Sequence, residues 1–527
     1  MTNRSRVTDW LLLIAIPSFF FLWRLSSFGL IGADEPRYAQ VAREMLERRD
    51  WITPTLGGVP WLEKPPLYYW QAMLAYKMLG VSDWAARLPS VLDAFLLVMA
   101  VYGFLRKVRP GSELDGALIT ATSAGIVGFA HAASTDMPLT AAFAIAMLAW
   151  YSWLEDGGKK YLTGFYAALA LATLTKGPVA PFLAIVLILC FAAAHRDLKI
   201  VWRTLWAPGL LIFCAIALPW YVLVQLRNPQ FFHEFIIQHN LARFGTNLYH
   251  HPEPFWYYVP VTLLSWAPWS VFMLAAFFWL PRRGRTEKPD KLPSFLIIWI
   301  VTVIVFFSIS KSKLPGYILP AIPAGAVLAA DFLRKIWLNQ ELHRWARPVW
   351  AALHSAILGA LLFCSFVIPS LILQHRIPWR AALVPLIVSI VVALAICVIL
   401  IKSDFRAVRI ATLFPLIVSL AFAIRFGAQP LDETLSARPV SNLLASFDPN
   451  HLPAAVFLTP RETEFGLAFY RNQKIQRYEL GQVPEGEHLV VAAQGFERGV
   501  AKVTGRKVTR LAAFPPQRLE LFYVPAR

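Results

Sequence analysis

The sequence predicts an all-α polytopic membrane protein that ends in a small α/β domain. Three observations carry this. First, 57% of the 527 residues are hydrophobic and only 16% are charged, against about 25% charged in ordinary soluble proteins. Second, thirteen apolar stretches recur between residues 10 and 425, and a spanning helix needs about 20 such residues. Third, beyond residue 426 the pattern changes to short alternating runs. The net charge of +18 does not indicate nucleic acid. The basic residues stand in short clusters between apolar spans, which is the bias of inner loops in membrane proteins.

The spans read as 10–28, 86–105, 114–131, 137–154, 161–175, 178–194, 205–226, 255–280, 292–310, 315–333, 348–372, 379–401 and 407–425. The first run, Trp10 to Trp23, follows Arg4 and Arg6. No small-x-small cleavage site follows it and Arg24 interrupts, so it reads as an uncleaved helix rather than a signal peptide. With the N-terminus inside, the inner stretches before residue 426 hold 22 Lys and Arg and the outer loops between spans hold 13. That orientation puts the first long loop and the C-terminal domain outside.

Residues 1–425 form the transmembrane domain. Within the first outer loop, 29–85, Asp34-Glu35-Pro36 marks a helix start, an acidic cap followed by Pro. Tyr38, Val41, Ala42, Met45 and Leu46 then recur at helical spacing, opposite Arg37, Gln40, Arg43, Glu44, Glu47 and Arg48. This predicts an amphipathic helix lying in the membrane interface. A second helix follows Pro65-Pro66. The outer loop 227–254 is rich in His and aromatics, and Phe255-Trp256-Tyr257-Tyr258 follows as an aromatic belt.

Residues 426–527 predict strands at Ala454–Leu458, Lys474–Leu480, His488–Ala493 and Leu519–Val524, with a helix over Glu462–Tyr470. They carry no catalytic signature. The four cysteines, Cys190, Cys214, Cys364 and Cys397, lie in apolar spans and read as core residues rather than ligands or disulfides.

Threaded this way, the isolated polar motifs fall on one outer face. Charge at a membrane is expensive unless used or paired. Asp34 can take a proton from a nucleophile or bind a cation; its bland alternative is a helix cap. In Glu63-Lys64-Pro65-Pro66, the residues before proline are extended, so Glu63 and Lys64 face opposite ways. Lys64 suits a phosphate, and Glu63 a metal or an amine. Asp136, after Ser134-Thr135, is equally a cap or a functional acid. Lys176, between two apolar stretches, needs an anion. With Arg37, Lys64, Arg243, Lys311 and Lys313 it makes a cationic cluster suited to a phosphate on a lipid. His239 pairs with Glu63 as a candidate site for a divalent metal such as zinc. A cationic pocket open sideways to lipid, with a carboxylate near the phosphate, suits cleavage of a sugar–phosphate bond in a lipid-linked donor.

The motifs Gly-Ala-Asp34-Glu35-Pro-Arg37-Tyr, Trp-Leu-Glu63-Lys64-Pro-Pro, Ser-Thr-Asp136-Met-Pro, Leu-Thr-Lys176-Gly-Pro, His239-Asn-Leu-Ala-Arg243-Phe and Ser-Lys-Ser-Lys313-Leu-Pro-Gly-Tyr317 resemble the bacterial protein-mannosyltransferase-like, C-type glycosyltransferases, above all the aminoarabinose transferases that modify lipid A. The resemblance covers about residues 8–335. It implies thirteen spanning helices and a periplasmic site in the bacterial inner membrane. It also implies an undecaprenyl-phosphate sugar donor, and lipid A or another glycan or protein as acceptor. Asp34 is then the catalytic acid residue and Asp136 supports it. Arg37, Lys64, Lys176 and Tyr317 surround the carrier phosphate, and Glu63 and His239 hold the metal. Gly316 stands where the resemblance leads one to expect a bulkier residue.

Two other readings compete. One is a polyprenyl-phosphate-mannose-dependent protein O-mannosyltransferase, with Asp34 as base. The other is a transporter or flippase of a lipid-linked anion, a class that usually shows broken helices in paired halves. Nothing in the sequence demands an oligomer, and a monomer is expected.

Overall fold

The computed structural model describes residues 3–242, 253–279, 290–338, 346–372, 379–402, 405–448 and 451–526. Each of the thirteen apolar stretches is helical over most of its described residues. In chain order the helices begin with α1 (Asn3–Leu22), α2 (Asp34–Arg48), α3 (Leu67–Leu79), α4 (Asp83–Val108), α5 (Glu113–Thr122) and α6 (Ala124–Ala130). There follow α7 (Asp136–Asp156), α8 (Lys159–Lys176), α9 (Val179–Ala194), the short α10 (Lys199–Thr204) and α11 (Ala207–Arg227). Among the described residues eight helices are long and apolar enough to cross a membrane, or nine if one bent pair is a single span. The other four stretches are shorter, broken or more polar.

The breaks have local causes. Stretch 114–131 divides at Ser123, whose hydroxyl donates back to Ile119 O, 2.7 Å. Stretch 255–280 bends by 119° between its two halves, Phe255–Trp266 and Ser270–Phe278. A straight crossing there, as expected from hydropathy, is not what forms; Pro268 cannot donate to a helical ladder. The last apolar helix, Phe405–Leu435, runs ten residues past the expected boundary at 425.

Burial sorts the bundle into layers. In Pro315–Lys335, 94% of the most apolar 18-residue stretch is buried and the helix forms the centre, whereas in Arg380–Lys402 only 17% of such a stretch is buried and the helix lies on the rim. Aromatic side chains lock the middle: Tyr151 stacks on Phe295 at 4.8 Å, and Trp150 meets Phe191 at 5.6 Å. The four cysteines are free, and Cys190 and Cys364 are exposed on helix outer faces. They are not core residues as expected: an apolar span packs only one stripe inward and leaves the rest for lipid.

Beyond the bundle, strands β3 (Ala454–Phe457), β4 (Gln476–Arg477), β5 (His488–Ala493), β6 (Thr509–Phe514) and β7 (Leu519–Val524) form one sheet. Its order is β4-β3-β5-β7-β6, with β3 parallel to β4 and β5 and the other pairs antiparallel. Strand β6 escapes the sequence reading because Thr509 and Arg510 interrupt its apolar pattern. The first loop adds a short hairpin, β1 (Thr55–Leu56) with β2 (Val59–Pro60).

Helix α2 forms where periodicity predicts, but its apolar face does not meet lipid. Tyr38, Val41, Ala42 and Met45 pack on Tyr68, Tyr69, Ala72 and Tyr76 of α3. Its polar face lies under the C-terminal domain: Arg43 Nη1 donates to Phe469 O, 3.1 Å, and Asn472 Nδ2 to Glu47 Oε1, 3.2 Å. Helix-forming amphipathicity is therefore satisfied by protein on both sides.

One buried arginine joins these layers. Arg87 of α4 is fully buried and donates to the carbonyls of Leu25, Phe28 and Gly29 at 2.8–2.9 Å. Its Nε and Nη2 both donate to Glu35 Oε2, 3.1 and 2.9 Å. The chain can turn after Leu22 because those carbonyls are satisfied. Burial pushes the Glu35 carboxyl up, and the Arg87 guanidinium pulls it back. Removing one partner of a buried pair costs about 3–5 kcal/mol. Arg87→Ala is expected to lower the thermal midpoint in detergent sharply, and Glu35→Gln, which keeps an acceptor, to do so less.

Candidate active site

Helix α2 places the first site residues by its own geometry. Its N-cap is Ala33, which makes no side-chain cap bond. Asp34 is thus inside the first turn and is not the cap its sequence suggests. Residues three apart share a helix face, so Asp34 and Arg37 point together: Arg37 Nη2 donates to Asp34 Oδ1 at 2.5 Å. Glu35, one residue on, points inward to Arg87. Asp34 remains half exposed, while the Arg37 side chain is 11% exposed. Burial works against the charge of Arg37, but Tyr38, Asp34 and Glu63 more than offset it, and its pKa stands above the usual arginine value.

The Pro65-Pro66 segment before α3 separates Glu63 from Lys64 as expected. Glu63 lies 3.8 Å from Arg37 Nη2 and 3.9 Å from His239 Nε2. Lys64 turns into a cavity of about 380 Å³. His239 comes from Phe232–Ala242, which coils as a wide helix and is not the open loop expected. It is seated by Phe231 and Phe235, whose rings stack 5.2 Å apart.

The cavity has two unlike walls. Asp34, Lys64, Asp136, Lys176 and His239 make the polar one; Val179, Phe182, Phe306 and Phe307 make the apolar one. Helix α8 ends at Lys176, and Gly177 turns the chain at φ 78° beneath the Phe235 ring, a position with no room for a side chain. Lys176 Nζ donates to Asp136 Oδ1 at 2.5 Å and sits 5.1 Å over the Tyr317 ring. Gly316 permits this closeness, since a Cβ there would stand 2.7 Å from Asp136 Oδ1. Asp136 is in the first turn of α7, after the N-cap Thr135, and its carboxylate pairs with Lys176.

Lys313 is not brought to the cavity. Its buried ammonium donates to Glu253 O at 3.0 Å and Ser310 O at 2.7 Å. The segment is extended, so side chains alternate: Ser312 lines the cavity, while Lys313 pins the loop from behind. Lys311 is exposed. Arg243 lies outside the described residues, as do His250 and His251. Tyr38, Ser310 and the apolar wall escape the sequence reading, because an apolar lining residue looks like any packed one.

Glu63 and His239 supply two donors, half of a tetrahedral zinc set. Among the described residues no group of three His, Cys, Asp or Glu forms.

The whole chain superposes on the crystal structure of ArnT from Cupriavidus metallidurans bound to undecaprenyl phosphate, with a TM-score of 0.81 and 21% identity, covering 99% of this chain and 98% of that one. The two proteins share one fold. A more distant likeness, TM-score 0.52 at 10% identity, relates this fold to the Archaeoglobus fulgidus oligosaccharyltransferase. In sequence, residues 63–222 match the family described as dolichyl-phosphate-mannose-protein mannosyltransferase. The chain is 31% identical over 349 residues to the undecaprenyl phosphate-alpha-4-amino-4-deoxy-L-arabinose arabinosyl transferase of Pseudomonas aeruginosa, covering 64% of this chain and 62% of the relative. It is 30% identical over 341 residues to the protein of that name from Serratia proteamaculans, covering 62% and 59%. The matched stretch therefore spans less than two thirds of these relatives.

In the cavity the Lys176–Asp136 pair is mostly buried, at 13% and 17% side-chain exposure. Neighbours in one network couple by about 0.5–3 kcal/mol. A cycle of Lys176→Met, Asp136→Asn and the double variant, followed by thermal unfolding in detergent, is expected to show the double change costing less than the sum.

Proposed function

We propose that this chain is a glycosyltransferase that moves a sugar from undecaprenyl phosphate to lipid A or a related envelope acceptor. In this reading it works as a monomer in the bacterial inner membrane, with its N-terminus cytoplasmic. The cavity and the C-terminal domain face the periplasm. The excess of Lys and Arg on the opposite side supports that orientation. The relatives' names point to 4-amino-4-deoxy-L-arabinose as the sugar.

The observation that carries the reading is the cavity's division into a polar and an apolar wall. A polyprenyl phosphate has the matching shape: a dianionic head on an apolar chain. Lys64 and Lys176 lie where the phosphate head would sit, with Arg37 behind Asp34 and Tyr317 under Lys176. The first isoprene units would lie along Val179, Phe182, Phe306 and Phe307.

In the reaction the bond from the sugar's anomeric carbon to the carrier phosphate breaks, and a bond from that carbon to an acceptor oxygen forms. The electron pair leaves with the phosphate, whose growing charge the cations stabilise. Asp34, half exposed at the cavity mouth, stands on the acceptor's side. If the acceptor is a hydroxyl, Asp34 takes its proton. If it is a phosphate, its oxygen is already an anion and Asp34 orients the sugar. Asp136 holds Lys176 until the carrier phosphate competes for it. Glu63 and His239 are the residues that would hold a divalent metal, which would add positive charge beside the phosphate; the steps above do not depend on it.

Asp34→Asn tests the reading in membranes supplied with undecaprenyl-phosphate aminoarabinose. General acid–base groups contribute about 10²–10⁴-fold, so transfer to lipid A, followed by mass spectrometry, is expected to fall by at least a hundredfold while undecaprenyl phosphate still binds. Transfer at the wild-type rate would sink the role of Asp34. Transfer to secreted protein instead of lipid A would favour the mannosyltransferase reading.

A further inference from the structure

Two arginines flank the start of α2, and they are held in opposite ways. Arg87 spends its nitrogens on three carbonyls and Glu35. Among the described residues Arg37 makes one hydrogen bond, to Asp34, has the Glu63 carboxylate 3.8 Å away, and its buried Nε has no partner. Apart from these two carboxylates, its close neighbours are aromatic. Its guanidinium carbon lies 5.2 Å from the Tyr38 ring, 5.3 Å from Trp61 and 5.7 Å from Phe465. All three fall within the roughly 6 Å reach of a cation–π contact.

Phe465 belongs to the C-terminal domain, on the helix Arg461–Arg471, more than 400 residues from Arg37 in sequence. The helix is fastened along its length. Tyr470 donates to Asp83 Oδ1 at 2.8 Å and accepts from Leu30 N at 2.7 Å. Phe469 is part of the core between α2 and α3. Gly466 packs so closely on Ala437 that a Cβ would overlap it. Phe465 is thus a fixed wall.

We propose that Phe465 is a positioning residue for Arg37, and that with Trp61 it holds the guanidinium by ring faces so that its remaining N–H donors stay available for the carrier phosphate. The C-terminal domain is then a working part of the donor site. A hydrogen-bonding neighbour at 465 would fix Arg37 equally well but would consume a donor. A ring fixes it and consumes none. This rests on the reading that the cavity binds a polyprenyl phosphate, and the test separates the two.

The test uses the full chain in detergent and two measurements on wild type, Phe465→Leu and Phe465→Trp. One is the rate at which phenylglyoxal modifies Arg37, followed by mass spectrometry; it needs no ligand. The other is the affinity for undecaprenyl phosphate. Phe465→Leu, which keeps bulk and loses the ring, is expected to speed modification severalfold and weaken binding about tenfold. Phe465→Trp is expected to stay within about twofold of wild type in both. Unchanged modification and binding in Phe465→Leu would overturn the proposal, as would equal losses in the Leu and Trp variants. If wild type binds no undecaprenyl phosphate, the donor reading falls, and the modification rates still decide the role of Phe465. Should Phe465→Leu not fold, Trp61→Leu, on the loop before α3, gives both readings from the other side of the guanidinium with the same expected directions.

Discussion

The structure depends on the buried ion pair between Arg87 and Glu35. A charged guanidinium and a carboxylate taken out of water are costly, and the cost is offset only when every hydrogen-bonding group is used. Here it is, because three carbonyls from the turn after α1 take the donors that Glu35 leaves. The pair therefore fixes three things at once: where the first helix stops, how α2 enters, and where α4 sits beneath them. Adjacent residues on a helix point about 100° apart. With Glu35 directed inward to Arg87, Asp34 is left pointing outward at the cavity, and Arg37 follows it at i+3. The four residues Asp-Glu-Pro-Arg thus divide into one structural acid and a site pair, with Pro36 in the first turn, where its missing N–H costs nothing.

The cavity follows a second rule, that charge near a membrane is kept by being paired. Lys176 and Lys313 looked alike in the sequence, each a lysine on a face where lysine is disfavoured. The structure separates them by what they pair with. Lys176 has one carboxylate, Asp136, and a ring, Tyr317, and it opens on a void. Lys313 is closed off by two backbone carbonyls. Only the first has a partner that an incoming anion can replace at a comparable electrostatic gain. A carbonyl-bound lysine serves instead to hold the Lys311–Tyr317 segment, and with it the ring under Lys176.

How much of this was legible in the sequence depended on range. Helices were readable wherever apolar runs were long, since period and length are local. Their ends were not: the stop after Leu22 depends on Arg87, and the extension to Leu435 crosses a composition change that does not break a helix. The charged residues that line the cavity were readable because charge between apolar runs stands out. Their division of labour was not. Nothing near residue 34 says which of two acids faces the cavity, and nothing near residue 313 says that its ammonium meets Glu253 O. The apolar wall was silent for the opposite reason, since Phe182, Phe306 and Phe307 are ordinary residues for their helices. Phe465 was hidden most deeply, because a phenylalanine in a small domain reads as core until that domain is seen against α2.

That docking also corrects the meaning of α2. Its amphipathic pattern reads as a helix lying on lipid, and the pattern is real, but two proteinaceous surfaces use it. The α3 tyrosines take its apolar face, and the helix Arg461–Arg471 takes part of its polar face. A helix held on lipid alone could roll, and a roll of a few tens of degrees would carry Asp34 and Arg37 away from Lys64 and Lys176. Held on both faces, it cannot roll without breaking the contacts of Arg43 with Phe469 O and Glu47 with Asn472. The C-terminal domain thus contributes rotational rigidity where the site needs two cations and a carboxylate in fixed relation. Tyr470 bridges Leu30 N and Asp83, close to the turn that Arg87 organises. The same turn is therefore braced from the bundle on one side and from the domain on the other.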